Sequence, residues 1–139
     1  MTLNPPIVSA LTAGILILLQ TAFMFAAANQ RRQHGPAVGE ATDPNMIRAV
    51  RRHGNLAENA GIFIASIALL ELLSGPSGRL WIEILCGAFV VARLAHGFGL
   101  SQQNTTNAFR IGGVILTAFV GVTTGVRLIW LAAPLVLHH

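Results

Sequence analysis

Apolar residues fall in four long blocks along the chain, and the breaks between them carry the turn-formers and much of the charge. The first block, Ile7 to Ala28, is interrupted only by Gln20 and small hydroxyls and is long enough to cross a ~30 Å hydrocarbon core. Pro5 and Pro6 mark its start. Met1 to Pro6 carries no positive charge and the block is longer than a signal h-region, so it reads as an uncleaved span despite the small Ala26-Ala27-Ala28. Asn29-Gln30-Arg31-Arg32 leads into a polar loop, 33 to 42, broken by Gly35-Pro36 and Gly39. Asp43-Pro44 then offers an N-cap followed by proline at the first helical position. A helix from Pro44 to Leu73 would be roughly 45 Å long at 1.5 Å per residue, so its first turns, with Arg48, Arg51 and Arg52, should project toward the aqueous side. A tight turn at 74–78 precedes a third span from Arg79 to Phe98, and a loop at 101–107 with several possible N-caps precedes a fourth from Ala108 to Leu131. Pro134 weakens the end of that last helix. The pattern predicts an all-α integral membrane protein: a single four-helix transmembrane domain over residues 1–139, with spans at about 7–28, 44–73, 79–98 and 108–131.

Composition supports lipid as the main solvent. Hydrophobic residues make up 53% of the chain and charged residues 10%, against about 25% charged in an ordinary soluble domain. Mean hydropathy is +0.64. All nine basic residues are arginine, and the formal net charge is +4. These arginines sit at span ends and form no soluble basic face with interleaved aromatics, which excludes nucleic acid as a partner. Cys86 is the only cysteine, so neither an intramolecular disulfide nor a cysteine metal cluster is available. No metal site is expected, because His53 and His96 lack a second ligand at helical spacing.

Arginine bias sets the orientation. Arg31, Arg32, Arg48, Arg51 and Arg52 flank the first loop and Arg93 and Arg110 the third connection, whereas the opposite side has only Arg79 and Arg127. By the positive-inside rule both termini face away from the cytoplasm. Pairs of small residues, Gly121-x-x-x-Gly125, Ala57-x-x-x-Gly61 and Ala88-x-x-x-Ala92, are expected to let helices approach closely.

Candidate chemistry enters where polar residues run into the second span. A charged side chain at bilayer depth costs from ~2.5 to above 10 kcal/mol and is expected to face protein, cavity or ligand. Arg51, Asn55 and Glu58 share one helical face by their i, i+4, i+7 spacing. Arg93 and His96 lie one turn apart at similar depth, and Arg110 opens the fourth span. A cavity of arginines, a histidine, an amide and one carboxylate suits a zwitterionic ligand with several carboxylates. The same residues admit a structural reading, with Glu58 neutralising Arg51 or a neighbouring arginine and Asn55 bridging helices. Glu71, Glu83, Arg79 and Arg127 at the other face read as an outer salt network or capping set, and His138-His139 carry no assigned role. The apolar run from Ile62 to Leu70 separates the two polar layers and argues against an ion pathway.

The segment Ile47-Arg48-Ala49-Val50-Arg51-Arg52-His53-Gly54-Asn55-Leu56-Ala57-Glu58, together with Ala92-Arg93-Leu94-Ala95-His96-Gly97-Phe98-Gly99-Leu100, resembles the MAPEG family of membrane-associated proteins in eicosanoid and glutathione metabolism, in its bacterial branch. The resemblance covers nearly the whole length. It implies a homotrimer in a bacterial inner membrane, with glutathione as cofactor at the cytoplasmic end between adjacent protomers and a lipophilic small-molecule substrate arriving through membrane lipid. By the same resemblance Arg51, Asn55, Glu58 and His96 bind glutathione, as does Arg31 or Arg32, and Arg110 is the catalytic residue that stabilises its thiolate. Asn59 and Leu100 stand where many enzymatic members carry tyrosines, and Ile111 where some carry a hydroxyl. The implied function is a glutathione-dependent transferase, peroxidase or isomerase acting on a lipophilic electrophile. The alternative is a non-catalytic member that binds a lipid or a partner protein. The Arg51, Asn55, Glu58, His96 and Arg110 set favours the enzyme, and the missing tyrosines favour the binder.

Overall fold

A computed structural model describes residues 5–34, 43–104 and 106–137. Four helices follow one another: α1 Ile7–His34, α2 Pro44–Ser74, α3 Arg79–Ser101 and α4 Ala108–Leu137, with a single 3-10 turn, Pro76–Gly78, between α2 and α3. All four are long and apolar enough to cross a membrane. The loop breakers Gly35, Pro36 and Gly39, residues 1–4 and the terminal His138-His139 lie outside the described residues.

The start of α2 is fixed as its sequence requires. Asp43 is extended, at φ −71° and ψ 131°, and its carboxylate accepts from the backbone N–H groups of Asn45 and Met46 at 2.9 and 3.0 Å. These donors have no acceptor inside the helix, and Pro44 removes a third. The turn after α2 uses Gly75, whose φ of +61° is costly for any residue with a Cβ. At its far end α4 runs on through Pro134 to Leu137, beyond the end expected at Leu131. Proline removes one N–H, yet the helix is continuous through it to Leu137.

α3 packs chiefly on α4, and α1 on α2, with α2 in contact with both other helices. The core between them contains Leu16 of α1, Leu56, Phe63, Ile67 and Leu70 of α2, Ile82, Leu85, Cys86 and Phe89 of α3, and Val120 of α4. At its centre the rings of Phe63 and Phe89 stack with centroids 3.8 Å apart and planes 7° from parallel. Large apolar side chains also point outward, among them Leu18, Ile62, Val122 and Ile129. A helix apolar on both faces is stable only where the surroundings are apolar too.

Of the small-residue pairs named above, the glycines meet no neighbouring helix, whereas Ala92 lies on the α3–α4 seam. A Cβ added at Gly61, Gly121 or Gly125 would meet nothing within 4 Å. Tight contacts between helices fall at Gly99 and Gly113 on the α3–α4 seam and at Gly97, where a Cβ would lie 2.7 Å from the Phe23 ring of α1. A Cβ at Gly113 would lie 2.8 Å from the Ala92 carbonyl oxygen and from the His96 backbone nitrogen, and one at Gly99 would lie 2.5 Å from the Arg110 nitrogen.

The outer polar residues also separate rather than forming one network. Glu71 of α2 caps α1: its carboxylate accepts from the N–H groups of Val8 and Ser9 at 3.0 and 2.8 Å and from the Ser9 hydroxyl at 2.6 Å. The first turn of a helix presents unpaired donors and partial positive charge, which a carboxylate satisfies. Arg79 pairs with Glu83 at 2.9 Å along α3. Arg127 joins neither and lies 4.4 Å over the Trp130 ring.

Candidate functional site

The polar face of α2 opens into a groove of about 400 Å³ lined by Val50, Arg51, Gly54, Asn55 and Glu58 from α2, His96 and Leu100 from α3, and Arg110 and Val114 from α4. Five residues singled out from sequence, Arg51, Asn55, Glu58, His96 and Arg110, therefore line one cavity. Arg31 and Arg32, in the last turn of α1, do not line it. No α1 residue forms its wall, because α1 packs on a different face of α2, with Gln20 donating to the His53 carbonyl at 3.4 Å.

Each wall has a local reason for its position. Arg110 is placed by Asn107, whose Oδ1 accepts from the Arg110 backbone N–H at 3.1 Å and so caps the start of α4. The Asn107 amide nitrogen donates to the carbonyls of Gly99 and Asn104 at 2.8 and 2.7 Å, which ties the cap to the end of α3. Gly99, with no side chain, lets the α4 backbone at Arg110 lie against α3. Gly113 does the same beside His96, which is buried at 5% exposure with Nδ1 lacking a partner.

Arg93 differs from its expected place among the cavity-lining arginines. It is 4% exposed and lies inside the helix bundle, not on the groove wall. Its Nη1 donates to Asn55 Oδ1 at 2.8 Å and its Nη2 to the Gly113 carbonyl at 3.3 Å and to the Thr117 hydroxyl. The guanidinium carbon lies 5.6 Å from the Phe89 ring centroid. One side chain of α3 thus ties α2 to α4 directly beneath the groove. A buried guanidinium is costly unless its donors are used; here two carbonyl oxygens and a hydroxyl accept from Nη1 and Nη2 and a ring face lies nearby, while Nε has no partner.

Glu58 makes no ion pair among the described residues. The groove therefore combines the cations Arg51 and Arg110 with one carboxylate acceptor. That arrangement suits a ligand carrying more carboxylates than amines. Asn59, next on α2, turns its amide back to donate to the Asn55 carbonyl at 2.7 Å and faces a separate groove with Phe63, Ser66, Thr117 and Thr124.

Sequence spacing missed the positioning roles of Arg93, Asn107, Gly99 and Gly113. The signal for Arg93 was its i, i+3 relation to His96, which on a helix means a shared side but does not say which of the two is buried.

A family model described as the MAPEG family matches residues 9–130. Two curated relatives are similar over a shorter stretch: the inner membrane protein YecN of Escherichia coli K12 and the protein of the same name from Escherichia coli O6:H1. Each is 32% identical over 97 residues, which covers 69% of this chain and 72% of the relative. With the match extending through all four helices and over the whole groove, the chain belongs to the MAPEG family.

Proposed function

We propose that the groove binds glutathione and that the protein is a glutathione-dependent membrane transferase acting on lipophilic electrophiles. The observation that carries this reading is the convergence of Arg51, Asn55, Glu58, His96 and Arg110, from three helices, on one groove. Glutathione offers two carboxylates, one ammonium, peptide groups and a thiol. Arg51 suits a carboxylate, Glu58 the ammonium or peptide N–H groups, and the Asn55 amide a carbonyl. Arg110 and the positive end of α4 favour the thiolate over the thiol, and the thiolate is the nucleophile. Its sulfur lone pair forms an S–C bond to an electrophilic carbon of an acceptor entering from lipid as the carbon's bond to its leaving group breaks and that group departs with the electron pair. With a lipid hydroperoxide it forms an S–O bond as the O–O bond breaks, and the alkoxide leaves and takes up a proton to become the alcohol.

The family resemblance also supports a homotrimer in which Arg31 or Arg32 of a neighbouring protomer closes the open side of the groove. The arginine distribution supports a cytoplasmic groove with both chain ends on the other side. The likeness to YecN, an inner membrane protein, supports an inner membrane location.

The second reading, a binder without turnover, is favoured by Asn59, whose amide is occupied within α2 where many enzymatic members carry a tyrosine. Isothermal calorimetry of glutathione with detergent-solubilised protein separates the two from a third possibility. Binding to the wild type, weakened at least about tenfold in Arg51→Ala and Glu58→Ala, is expected. Binding without turnover of any electrophile selects the second reading. No binding to the wild type removes glutathione from the account altogether.

A further inference from the structure

A second groove, about 660 Å³, lies far from the candidate site, on the α3–α4 face, and is lined by Trp81, Val122, Thr123, Val126, Arg127 and Trp130. The chain has two tryptophans, and both line it. Arg110 and Trp130 are 20 residues apart on one continuous helix, about 30 Å at 1.5 Å per residue, which matches the thickness of a hydrocarbon core. The two grooves therefore sit at opposite membrane interfaces.

We propose that this second groove binds a membrane glycerophospholipid by its phosphate. Arg127 supplies the cation. The carboxylates nearest to hand in the sequence layout are already used, Glu83 by Arg79 and Glu71 by the start of α1, and Arg127 forms no ion pair among the described residues. Its guanidinium stacks on the Trp130 ring, an arrangement that occupies the cation's face and leaves its N–H edge for a phosphate diester. The two indoles, 43% and 63% exposed, contribute ring faces at headgroup level and N–H donors for ester oxygens. Val126 and Val122 lie about one and two turns from Trp130 toward the membrane centre and give an acyl chain an apolar wall. A free phosphate ion has no use for that wall, and a neutral lipid has no use for Arg127. The Thr123 hydroxyl, bonded to the Phe119 carbonyl at 2.8 Å, does not compete for the headgroup.

Because both tryptophans line the groove, intrinsic fluorescence of the full chain in detergent reports the site directly. Dioleoyl phosphatidylglycerol is expected to produce a saturable change in emission, whereas dioleoylglycerol and inorganic phosphate produce none. Arg127→Gln should weaken the response at least about tenfold, since it removes a charge-assisted contact, while Arg79→Gln at the same membrane face leaves it unchanged. Native mass spectrometry of the wild type needs no variant and should show phosphatidylglycerol retained in preference to dioleoylglycerol. Equal responses to the two lipids overturn the proposal, and so does an unchanged response in folded Arg127→Gln. Saturation by inorganic phosphate alone overturns the lipid assignment in favour of a free anion. Absence of any lipid response in the wild type overturns it in favour of a face covered by protein.

Discussion

Arg93 Nη1 donates to Asn55 Oδ1 across 2.8 Å, joining α3 to the polar face of α2 from the buried side. A guanidinium has donors only, so this contact dictates that the Asn55 amide presents its oxygen inward. Its NH2 group is thereby left for the groove. Arg93 orients a groove-lining side chain without lining the cavity itself.

Removing either partner should expose that dependence. Asn55→Leu leaves a buried guanidinium donor unmatched and should cost about 1–3 kcal/mol of stability. Arg93→Met should lower both stability and glutathione affinity although Arg93 does not touch the groove. In a double-mutant cycle the pair should show coupling of about 1 kcal/mol or more, read from reversible unfolding in detergent. Simple additivity of the two changes would mean that the contact does not organise the site.

Gly113 and Gly121 offer a contrast on a single helix. Gly113→Ala places a methyl group 2.8 Å from the Ala92 carbonyl oxygen and the His96 nitrogen, so α3 and α4 must separate. Overpacking of this kind costs about 1–3 kcal/mol, and the shift of His96 should weaken glutathione binding as well. Gly121→Ala meets open space and should leave thermal stability of the protomer unchanged or slightly raised, as alanine favours helix.

At the other membrane face, Glu71→Ala should strip the start of α1 of its cap. Loss of such a cap costs about 0.5–2 kcal/mol, measurable as a lowered thermal midpoint. Glutathione affinity should not change, because Glu71 and the groove are at opposite ends of α2. A change in affinity without a change in stability would contradict the assigned role.

Arg110 should be visible in the pH dependence of the bound thiol. A cation favours the anion, so bound glutathione should ionise below the ~8.5 of a free cysteine thiol. Activity then rises as pH increases through that lowered value and levels off above it. In Arg110→Ala the midpoint should move up, with about a tenfold loss of thiolate per unit at neutral pH, detectable by thiolate absorbance and by kcat/KM. An unchanged midpoint would remove Arg110 from thiol activation.

The helices were legible in the sequence because each signal for them is local. Four apolar blocks, Asp43-Pro44, and Gly75-Pro76 act within a few residues of themselves, and the helices begin at Ile7, Pro44, Arg79 and Ala108 accordingly. The extension through Pro134 was not legible, since a proline ends a helix in one setting and is carried through in another. Likewise, of the small-residue pairs counted in sequence, the glycines meet no neighbouring helix, whereas Ala92 faces Gly113. Gly99 and Gly113 share no fixed spacing, and only the crossing of α3 over α4 brings them to bear.

By itself the sequence determined that polar residues enter the second and third helices on defined faces, because helical periodicity assigns a face to every residue. It also determined which residue types stood there, and hence that an anionic, zwitterionic ligand was suited. Only tertiary structure decided which arginine faces inward. Arg51, Arg93 and Arg110 are chemically identical and lie at similar depth, yet burial separates them: Arg93 becomes an internal tie, while Arg51 and Arg110 line the groove. The physical reason is that side-chain burial depends on how neighbouring helices cross, and that is set by distant contacts such as Gly113 against His96, which no spacing along one helix encodes.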